Sequence, residues 1–444
     1  MEKQHLFGEV DLQDRLDELT VFSILHQDKV FQAFHELLKV CVKEFLPEGT
    51  FYNLNWKCAE DALEWWHIRK EYIKFASLLY QAHTDNWSEY LKNLILSVET
   101  PCVWFAVHGM KIPENIEKSV RRELHSLSKL TAITSQSIKK YFYDFANSPV
   151  KSEFGQSAFP DWNAEEIDLE TLYFDRLKNI QKYGFGIWAE YKMFRMELSD
   201  QSGKGYSLKP VSSPDSISLK ELIGYDFQRK QVIENTEALL NGLKASNILL
   251  YGSAGTGKSA TVKAVANAYA DQGLRLIELS KNELHLLPEL LEELNSNPLK
   301  FILFIDDLSF QENDDNFSAL KAVLEGTVSA RAYNTVIYAT SNRRHIVRET
   351  FSQRAGDEIH RNDTVQETIS LSERFGIQLL FDRPSKQLYS DIICRLAENA
   401  GLKLSQEELV LRAEQFAMRK SGRSARAARQ LIDQLCCEEY QNNN

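Results

Sequence analysis

Gly252-Ser253-Ala254-Gly255-Thr256-Gly257-Lys258-Ser259 is the stretch that decides the fold of the second half of this chain. It follows an apolar run, Ile248-Leu249-Leu250, and precedes a stretch of helical character at 260–269. A strand, a glycine-rich loop and a helix in this order match the pattern GxxxxGK[ST] in the context that the pattern requires. The sequence therefore predicts a loop that binds phosphate groups.

The residue types in this loop suit a nucleoside triphosphate. Glycines let backbone N–H groups curl around phosphate oxygens, and the N-terminus of the following helix adds a favourable dipole potential. Lys258 is expected to reach the β- and γ-phosphates, and the Ser259 hydroxyl is expected to bind Mg²⁺. The alternative, a glycine turn that binds nothing, is disfavoured by the flanking elements.

A second motif, Phe301-Ile302-Leu303-Phe304-Ile305-Asp306-Asp307, is an apolar run that ends in two acids. A buried strand of this kind would deliver Asp306 to the edge of the phosphate site, where it can hold magnesium through water. Asp307 would then polarise the attacking water, which requires that its side chain have the reach of a general base. The alternative is an acid pair that faces solvent. The two motifs together predict ATP and Mg²⁺ as cofactors.

Weaker motifs precede and follow these two. Because of the order in which all the motifs occur, the chain resembles the AAA+ ATPases over roughly 217–437. Ile223 and Gly224, in Leu222-Ile223-Gly224-Tyr225, resemble the segment that contacts adenine in this family. Asn342, in Thr340-Ser341-Asn342, resembles sensor 1, which orients water or reads the γ-phosphate. The match is closest to an uncharacterised group of bacterial single-module AAA+ proteins, related to initiator and helicase-loader proteins.

Two arginines complete the resemblance. Arg374, in Ser372-Glu373-Arg374-Phe375-Gly376, occupies the place of the arginine finger, which acts on the nucleotide of a neighbouring subunit. The resemblance therefore implies a homo-oligomer. Arg426, in Gly422-Arg423-Ser424-Ala425-Arg426, resembles sensor 2, because the following 431–434 resembles the run after that arginine in clamp-loader subunits. Arg423 is the second candidate for this role.

Each weaker match has a simpler interpretation. Asn342 could cap a turn. Arg374 could form a weak surface ion pair with Glu373 or Asp382. Arg426 could be one charge of a basic face that also holds Arg419, Lys420 and Arg429.

Two departures from the family pattern bear on activity. The second acid of the strand-end pair is usually Glu, whereas Asp307 is one methylene shorter, as in initiator and helicase-loader relatives. Hydrolysis is therefore expected to be slow without a partner. The loop at 280–288 has no aromatic residue of the kind that grips polypeptide in unfoldase pores. A threading unfoldase is thus disfavoured.

The hydrophobic pattern predicts an α/β protein: a three-layer αβα P-loop domain with a parallel sheet and a small C-terminal helical lid, preceded by an all-α N-terminal domain. Continuous apolar runs are typical of strands buried on both faces of a parallel sheet. Such runs occur at 247–251, 275–279, 300–305, 335–340 and 377–381. Apolar spacings of three and four predict helices in both flanking regions. These helices lie at 30–45, 60–80, 116–145, 385–400, 405–419 and 423–440.

Composition shifts indicate the domain boundaries. A stretch at 199–216 is rich in Ser, Gly and Pro and is predicted to be a linker. All seven tryptophans precede it. The predicted domains are a helical N-terminal domain at 1–198, the nucleotide-binding domain at 217–383 and the helical lid at 384–444.

Charge and cysteine usage limit the class of protein. A net charge of −11 argues against a polyanion binder that acts by bulk charge. Apolar runs fall short of the roughly 18–20 residues that span a bilayer, so no membrane partner is expected. The six cysteines show no metal-ligand spacing and are expected to be reduced thiols in the cytoplasm.

Two classes of function stay open. One is an ATPase that hydrolyses Mg-ATP to drive conformational change in a protein partner, bound through the N-terminal domain, or in nucleic acid. The other is a nucleotide-gated switch or loader that binds nucleic acid with little or no hydrolysis. The Asp306-Asp307 pair favours the second class, and so does a basic cluster formed by Arg343, Arg344, His345 and Arg348.

Overall fold

The computed structural model describes residues 15–43, 60–145, 159–199, 203–309, 315–325, 333–342, 371–420 and 422–442. The chain divides into two compact units, Met1–Ile180 and Gln181–Asn444. The basic cluster at 343–348 lies outside the described residues, and its role stays a prediction.

The described part of the first unit is helical, as predicted. Its helices are α1 (Lys29–Lys43), α2 (Glu60–Gln81), α3 (Trp87–Ser97), α4 (Pro101–Val107), α5 (Glu114–Thr131), α6 (Ser135–Phe145) and α7 (Leu169–Lys178), after a 3₁₀ helix at Ser23–Gln27. The single helix predicted at 116–145 is two helices, α5 and α6. The break occurs because the Thr134 hydroxyl accepts a hydrogen bond from the Ser137 N–H at 3.0 Å, which caps the start of a new helix.

Aromatic side chains form the core of the first unit. The rings of Phe34 and Trp87 lie 4.2 Å apart, and Phe75 contacts both Trp87 and Trp162 edge-on. The indole N–H groups of Trp87 and Trp162 each donate to a backbone carbonyl at 3.0 Å, so their burial leaves no polar atom unsatisfied. These two tryptophans are therefore core residues.

A mostly parallel sheet forms the centre of the second unit. Among the described residues it has seven strands in the order β2-β1-β4-β5-β6-β3-β7, with only the β1–β2 pair antiparallel. The strands are β1 (Met193–Ser199), β2 (Gly205–Pro210), β3 (Ile248–Gly252), β4 (Leu274–Leu279), β5 (Lys300–Ile305), β6 (Thr335–Ser341) and β7 (Ile377–Phe381). The five predicted strands are present, each within one residue of its predicted bounds.

The central strand β5 shows why these strands are continuous apolar runs. Phe301, Leu303 and Ile305 pack into the hydrophobic cluster on one face of the sheet. Ile302 and Phe304 pack into the cluster on the other face. Both faces are covered by helices, so each residue of the strand from 301 to 305 is buried.

Helices flank this sheet and form the lid. Around the sheet are α8 (Ile180–Tyr183), α9 (Ile187–Glu190), α10 (Asp226–Leu240), α11 (Lys258–Tyr269), α12 (Leu287–Asn295) and α13 (Asp315–Glu325), with 3₁₀ helices at Leu219–Glu221, Ala270–Gln272 and Lys281–Leu286. The lid consists of α14 (Lys386–Ala400), α15 (Gln406–Arg419) and α16 (Ala425–Asn442), which share their own apolar core. None of the described helices has both the length and the hydropathy of a bilayer span. The predicted fold class is confirmed.

The predicted linker at 199–216 requires correction. β1 and β2 pair as an antiparallel hairpin, and β1 also pairs with β4, so both strands belong to the sheet. Gly203 and Gly205 have φ of +67° and +76°, and such glycines mark the turn of a hairpin as readily as a flexible linker. Trp188 packs against Phe194 and Phe301 in the second unit, so the tryptophan distribution does not mark the boundary. The boundary lies at Ile180.

Candidate functional site

The predicted phosphate loop connects the end of β3 to the start of α11. Gly252 has φ +127°, and a Cβ atom there would lie 2.3 Å from the carbonyl oxygen of Phe381 on the neighbouring strand β7. Only glycine satisfies this position. Gly257, with φ +94°, precedes the first helical residue, Lys258, and its Cα faces open space. The loop therefore leaves β3 close to β7 and exposes its backbone in front of the helix N-terminus.

Lys258 is held at the base of this loop. Its Nζ donates to the carbonyl oxygens of Gly252 and Ser253 at 2.9 and 2.8 Å. A third bond, at 3.2 Å, goes to Oδ1 of Asn342 at the end of β6. The lysine is 6% exposed. The residue predicted to bind phosphate thus lies beside the residue predicted to act as sensor 1.

Burial lowers the pKa of the Lys258 ammonium, and the nearby carboxylates of Asp306 and Asp307 oppose this shift. The charge of Arg426 lowers the pKa further. This end of the site therefore holds two cations and two anions, of which only Lys258 is buried. An added polyanion would interact favourably with both cations.

Asp306 lies directly after β5, at the carboxyl edge of the sheet. Its Oδ1 accepts hydrogen bonds from the hydroxyls of Ser259 at 2.6 Å and Thr340 at 2.5 Å. A hydroxyl and a carboxylate oxygen in contact are the hard ligands that Mg²⁺ prefers, and magnesium usually keeps several waters and substrate phosphates as its remaining ligands. The two residues predicted to bind metal therefore fit magnesium.

Asp307 adopts a positive φ of +52°, a conformation that is uncommon outside glycine, although aspartate and asparagine adopt it more often than most residues. Its N–H donates to Thr340 Oγ1 at 2.9 Å, and its Oδ1 accepts from Asn342 Nδ2 at 2.7 Å. Thr340 thus binds both acids. The sequence motif included Thr340 only as a neighbour of Asn342, and its role in holding the acids was missed. Thr340 lies two residues before Asn342 on β6, the strand next to β5, and this position could have indicated its role.

A cavity of about 600 Å³ opens from this cluster, a volume typical of ligand sites. Its walls include 254–259 of the loop, Ile223, Asp306, Asp307, Asn342 and Arg426. Gly224 does not line the cavity. It has φ +76° and packs against Leu388 of α14, where a Cβ would lie 2.6 Å from Leu388 Cδ1. Gly224 therefore allows the segment before α10 to approach the lid closely.

Tyr225 follows Gly224 and was not assigned a role from the sequence. Its ring stacks on Phe381 at 5.0 Å, and its hydroxyl donates to the Asp382 carbonyl oxygen. Both rings line the cavity, as does Arg229 of α10. The segment at 222–225 is therefore fixed to the end of β7 and forms one wall of the cavity.

Arg374 does not line the cavity. Its Nη1 forms an ion pair at 2.5 Å with Oε1 of Glu325, the last residue of α13, and the two side chains are 30% and 27% exposed. The sequence suggested Glu373 or Asp382 as alternative partners, and the partner is instead an acid distant in sequence. The position of Arg374 outside the cavity of its own subunit is compatible with action on a neighbouring subunit.

The two candidates for sensor 2 differ in their contacts. Arg426 lines the cavity, and its backbone N–H donates to the Gly255 carbonyl oxygen at 3.1 Å. Arg423 binds both carboxylate oxygens of Glu414 on α15, with its Nε and Nη2 each at 2.9 Å from one of them. Arg423 therefore ties the segment before α16 to α15, and of the two arginines Arg426 contacts the loop.

Three further polar side chains of α16 line the cavity: Arg429, Gln430 and Asp433. From the sequence, Arg429 was expected on a basic surface, and Gln430 and Asp433 had no expected role. Their spacing from Arg426 would have placed them on its face of the helix.

The family comparison matches residues 190–439 to the family described as "Protein of unknown function (DUF815)". The match covers the sheet from β1 onward and almost all of the lid. No curated protein matches the sequence.

The matching solved structures have low sequence identity and low TM-scores. The Thermotoga maritima RuvB Holliday junction branch migration motor is 17% identical with a TM-score of 0.34, over 49% of this chain and 63% of that one. A DNA replication initiation factor is 18% identical with a TM-score of 0.35, over 51% of this chain and 66% of that one. The chain thus spans less than two thirds of the length of either structure.

Proposed function

The chain belongs to the DUF815 family, and we propose that it is an AAA+ P-loop ATPase that binds Mg-ATP and hydrolyses it to ADP and phosphate. Water is the nucleophile. The energy of this cycle drives a conformational change of the lid and, through it, of a partner. The partner is a protein or a nucleic acid.

One observation carries this proposal. The loop lysine and serine, the strand-end acid and the sensor residue come from three separate stretches of sequence and meet within hydrogen-bond distance. Lys258 contacts Asn342, and Ser259 contacts Asp306. Such convergence at the mouth of a cavity of nucleotide size supports triphosphate binding with metal-assisted phosphoryl transfer.

Catalysis would come from positioning and charge neutralisation. Lys258 and Arg426 neutralise the phosphates. Ser259 and Asp306 would hold magnesium, which would supply further positive charge against the phosphates. Asp307 accepts a proton from the attacking water, and Asn342 fixes the orientation of the Asp307 carboxylate through its 2.7 Å bond. The reaction requires no covalent intermediate on the protein.

Arg374 acts on the γ-phosphate of a neighbouring subunit, so the active form is a homo-oligomer. Its position outside the cavity of its own subunit supports action in trans. The Glu325 carboxylate holds the guanidinium in place until the neighbour is present.

The test is magnesium-dependent ATP binding by calorimetry, together with phosphate release. The wild-type chain is expected to bind Mg-ATP, and Lys258→Ala is expected to lose binding. Lys263→Ala is the matched control, because Lys263 is on the same helix and does not line the cavity. Absence of magnesium-dependent binding by folded wild-type protein would refute the proposal.

A nucleotide-gated switch that binds nucleic acid is the second candidate. The three bonds of Lys258 to its own loop and to Asn342 favour it, because phosphate binding must replace them and rearrange sensor 1. The bond from Arg426 N–H to Gly255 O would pass that rearrangement to the lid. Titration of DNA and RNA at two salt concentrations, with ATP or ADP, tests this candidate. Binding through phosphate contacts weakens steeply with salt, and a switch requires different affinities in the two nucleotide states.

A further inference from the structure

One polar face of α16 extends beyond the residue that the proposed chemistry uses. The four residues of this face lie at i, i+3, i+4 and i+7, and all of them line the cavity: Arg426, Arg429, Gln430 and Asp433. The opposite face packs into the lid core through Ala428, Leu431, Ile432 and Leu435. The helix therefore presents a continuous row of polar side chains to the cavity.

The far members of this row lack partners within the described part of the chain. Gln434, one residue away, donates to Glu438 at 2.8 Å, and Arg423 binds Glu414. Among the described residues no hydrogen bond is formed by the side chain of Gln430 or of Asp433. Polar side chains that line a cavity and have no protein partner are available to a ligand.

The row is as long as a nucleotide. Arg426 marks the phosphate end, because its backbone N–H donates to Gly255 of the phosphate loop. Two helical turns place Asp433 about 10 Å further along the helix axis. This distance is comparable to that from the phosphates of a nucleotide to its base. The cavity lining also includes apolar side chains that suit a base: Ile217, Leu222, Ile392 and Leu396.

The other carboxylate at this end is already engaged. Glu221 accepts from the Ser218 hydroxyl at 2.7 Å and from the Ser218 N–H at 3.3 Å. These bonds, together with the charge of Arg429, lower the pKa of Glu221. Both bonds go to Glu221 Oε1, so Asp433 is the carboxylate at this end of the cavity with neither oxygen hydrogen-bonded within the described residues.

We propose that Asp433 accepts a hydrogen bond from an N–H or O–H donor of the nucleoside. The polar face of α16 then contacts the nucleotide from its phosphates to its nucleoside. This inference rests on the proposed function and deepens it. Adenosine offers two kinds of donor: the amino group of the base and the ribose hydroxyls. Asp433 is a specificity residue for one of them.

The test compares the affinities of ATP, purine riboside triphosphate, 2′-deoxy-ATP and 3′-deoxy-ATP, measured by calorimetry. Asp433→Ala is expected to bind ATP roughly ten- to a hundredfold more weakly, the loss of one hydrogen bond to a charged group. This loss disappears for the analogue that lacks the recognised donor. For a base amine that analogue is purine riboside triphosphate, and for a ribose hydroxyl it is one of the deoxy nucleotides. Asp433→Asn keeps a carbonyl acceptor and is expected to lose less.

Asp391→Ala is the matched control. Asp391 lies on α14, accepts from Gln387 at 3.2 Å and does not line the cavity, so its variant is expected to bind all four nucleotides like the wild type. Equal losses for all four nucleotides in Asp433→Ala, or no loss, would overturn the assignment and leave ATP binding intact. A wild-type chain that binds none of the four would overturn the proposed function as well. Melting temperatures of the variants establish that each is folded.

Discussion

Asn342, at the end of β6, donates through Nδ2 to the carboxylate of Asp307 at 2.7 Å and accepts through Oδ1 from Lys258 at 3.2 Å. One amide thus connects the residue expected to bind phosphate with the residue expected to activate water. Because an amide side chain has both a donor and an acceptor end, these two bonds fix its orientation. A change in the position of Lys258 would therefore be transmitted to Asp307 by the Asn342 side chain.

Replacement of Asp307 by Asn is expected to spare Mg-ATP binding and to lower the rate of phosphate release by about 10²–10⁴, the usual contribution of a general base. Single-turnover phosphate release and calorimetry on the same preparation measure the two effects. The stable ATP complex also offers a means to capture partners. Unchanged turnover in the Asp307→Asn variant would remove Asp307 from the mechanism.

Replacement of Arg426 by Ala is expected to weaken ATP binding roughly ten- to a hundredfold, because the lost contact is a charge-assisted hydrogen bond to phosphate. Arg423→Ala is the matched control from the same segment. It is expected to bind ATP normally, because its guanidinium is bound to Glu414. If the two variants exchanged these behaviours, Arg423 would be sensor 2.

Replacement of Arg374 by Ala is expected to spare ATP binding and to lower turnover by about 10³–10⁵, the contribution typical of an arginine finger. Arg412→Ala, which removes a surface arginine paired with Glu408, serves as a control for loss of charge. Action in trans predicts that a mixture of inactive Arg374→Ala and inactive Lys258→Ala subunits regains part of the activity. A mixture that stays inactive would place Arg374 outside the shared site.

Replacement of Gly252 by Ala is expected to lower the free energy of unfolding by about 2–4 kcal/mol, because the new Cβ meets the Phe381 carbonyl oxygen at a φ that disfavours side chains. Gly257→Ala has a similar backbone strain without the collision, and about 1–2 kcal/mol is expected. Urea unfolding without nucleotide measures both values. Equal losses would show that the contact with β7 does not constrain the loop.

Tyr338 on β6 predicts a specific response to alkaline pH. Burial raises the pKa of its hydroxyl to about 12. The folded state therefore holds this proton where the unfolded chain, with a tyrosine pKa near 10, loses it. Its contribution to stability is complete below about pH 10 and is lost as the pH rises toward 12.

Tyr338→Phe tests this response. Near neutral pH the variant is expected to be less stable by about 1–3 kcal/mol, because the hydroxyl bonds to Asn235 and Thr236 of α10 at 3.0 and 2.8 Å. The difference in unfolding free energy between wild type and variant should shrink between pH 10 and 12. Urea titrations across that range measure it, and a constant difference would contradict the expected shift in pKa.

The sequence by itself determined the glycine-rich loop, the acid pair and the five strands of the predicted sheet. These features depend on local rules: glycine where φ is positive, an apolar run where both faces of a strand are buried, and serine caps at the starts of α14 and α15. A residue type at a fixed spacing is enough to specify each of them.

Only the tertiary structure decided which distant side chains meet. It placed the hairpin β1–β2 in the sheet, paired Arg374 with Glu325, turned Arg423 toward Glu414 and aligned the polar face of α16 with the cavity. Each of these outcomes depends on how separate elements pack, and packing is set by the shapes of whole faces that no local pattern records. The conformation of the phosphate loop is therefore specified by its own sequence, whereas the side chains at the far end of the cavity are specified by the position of the lid.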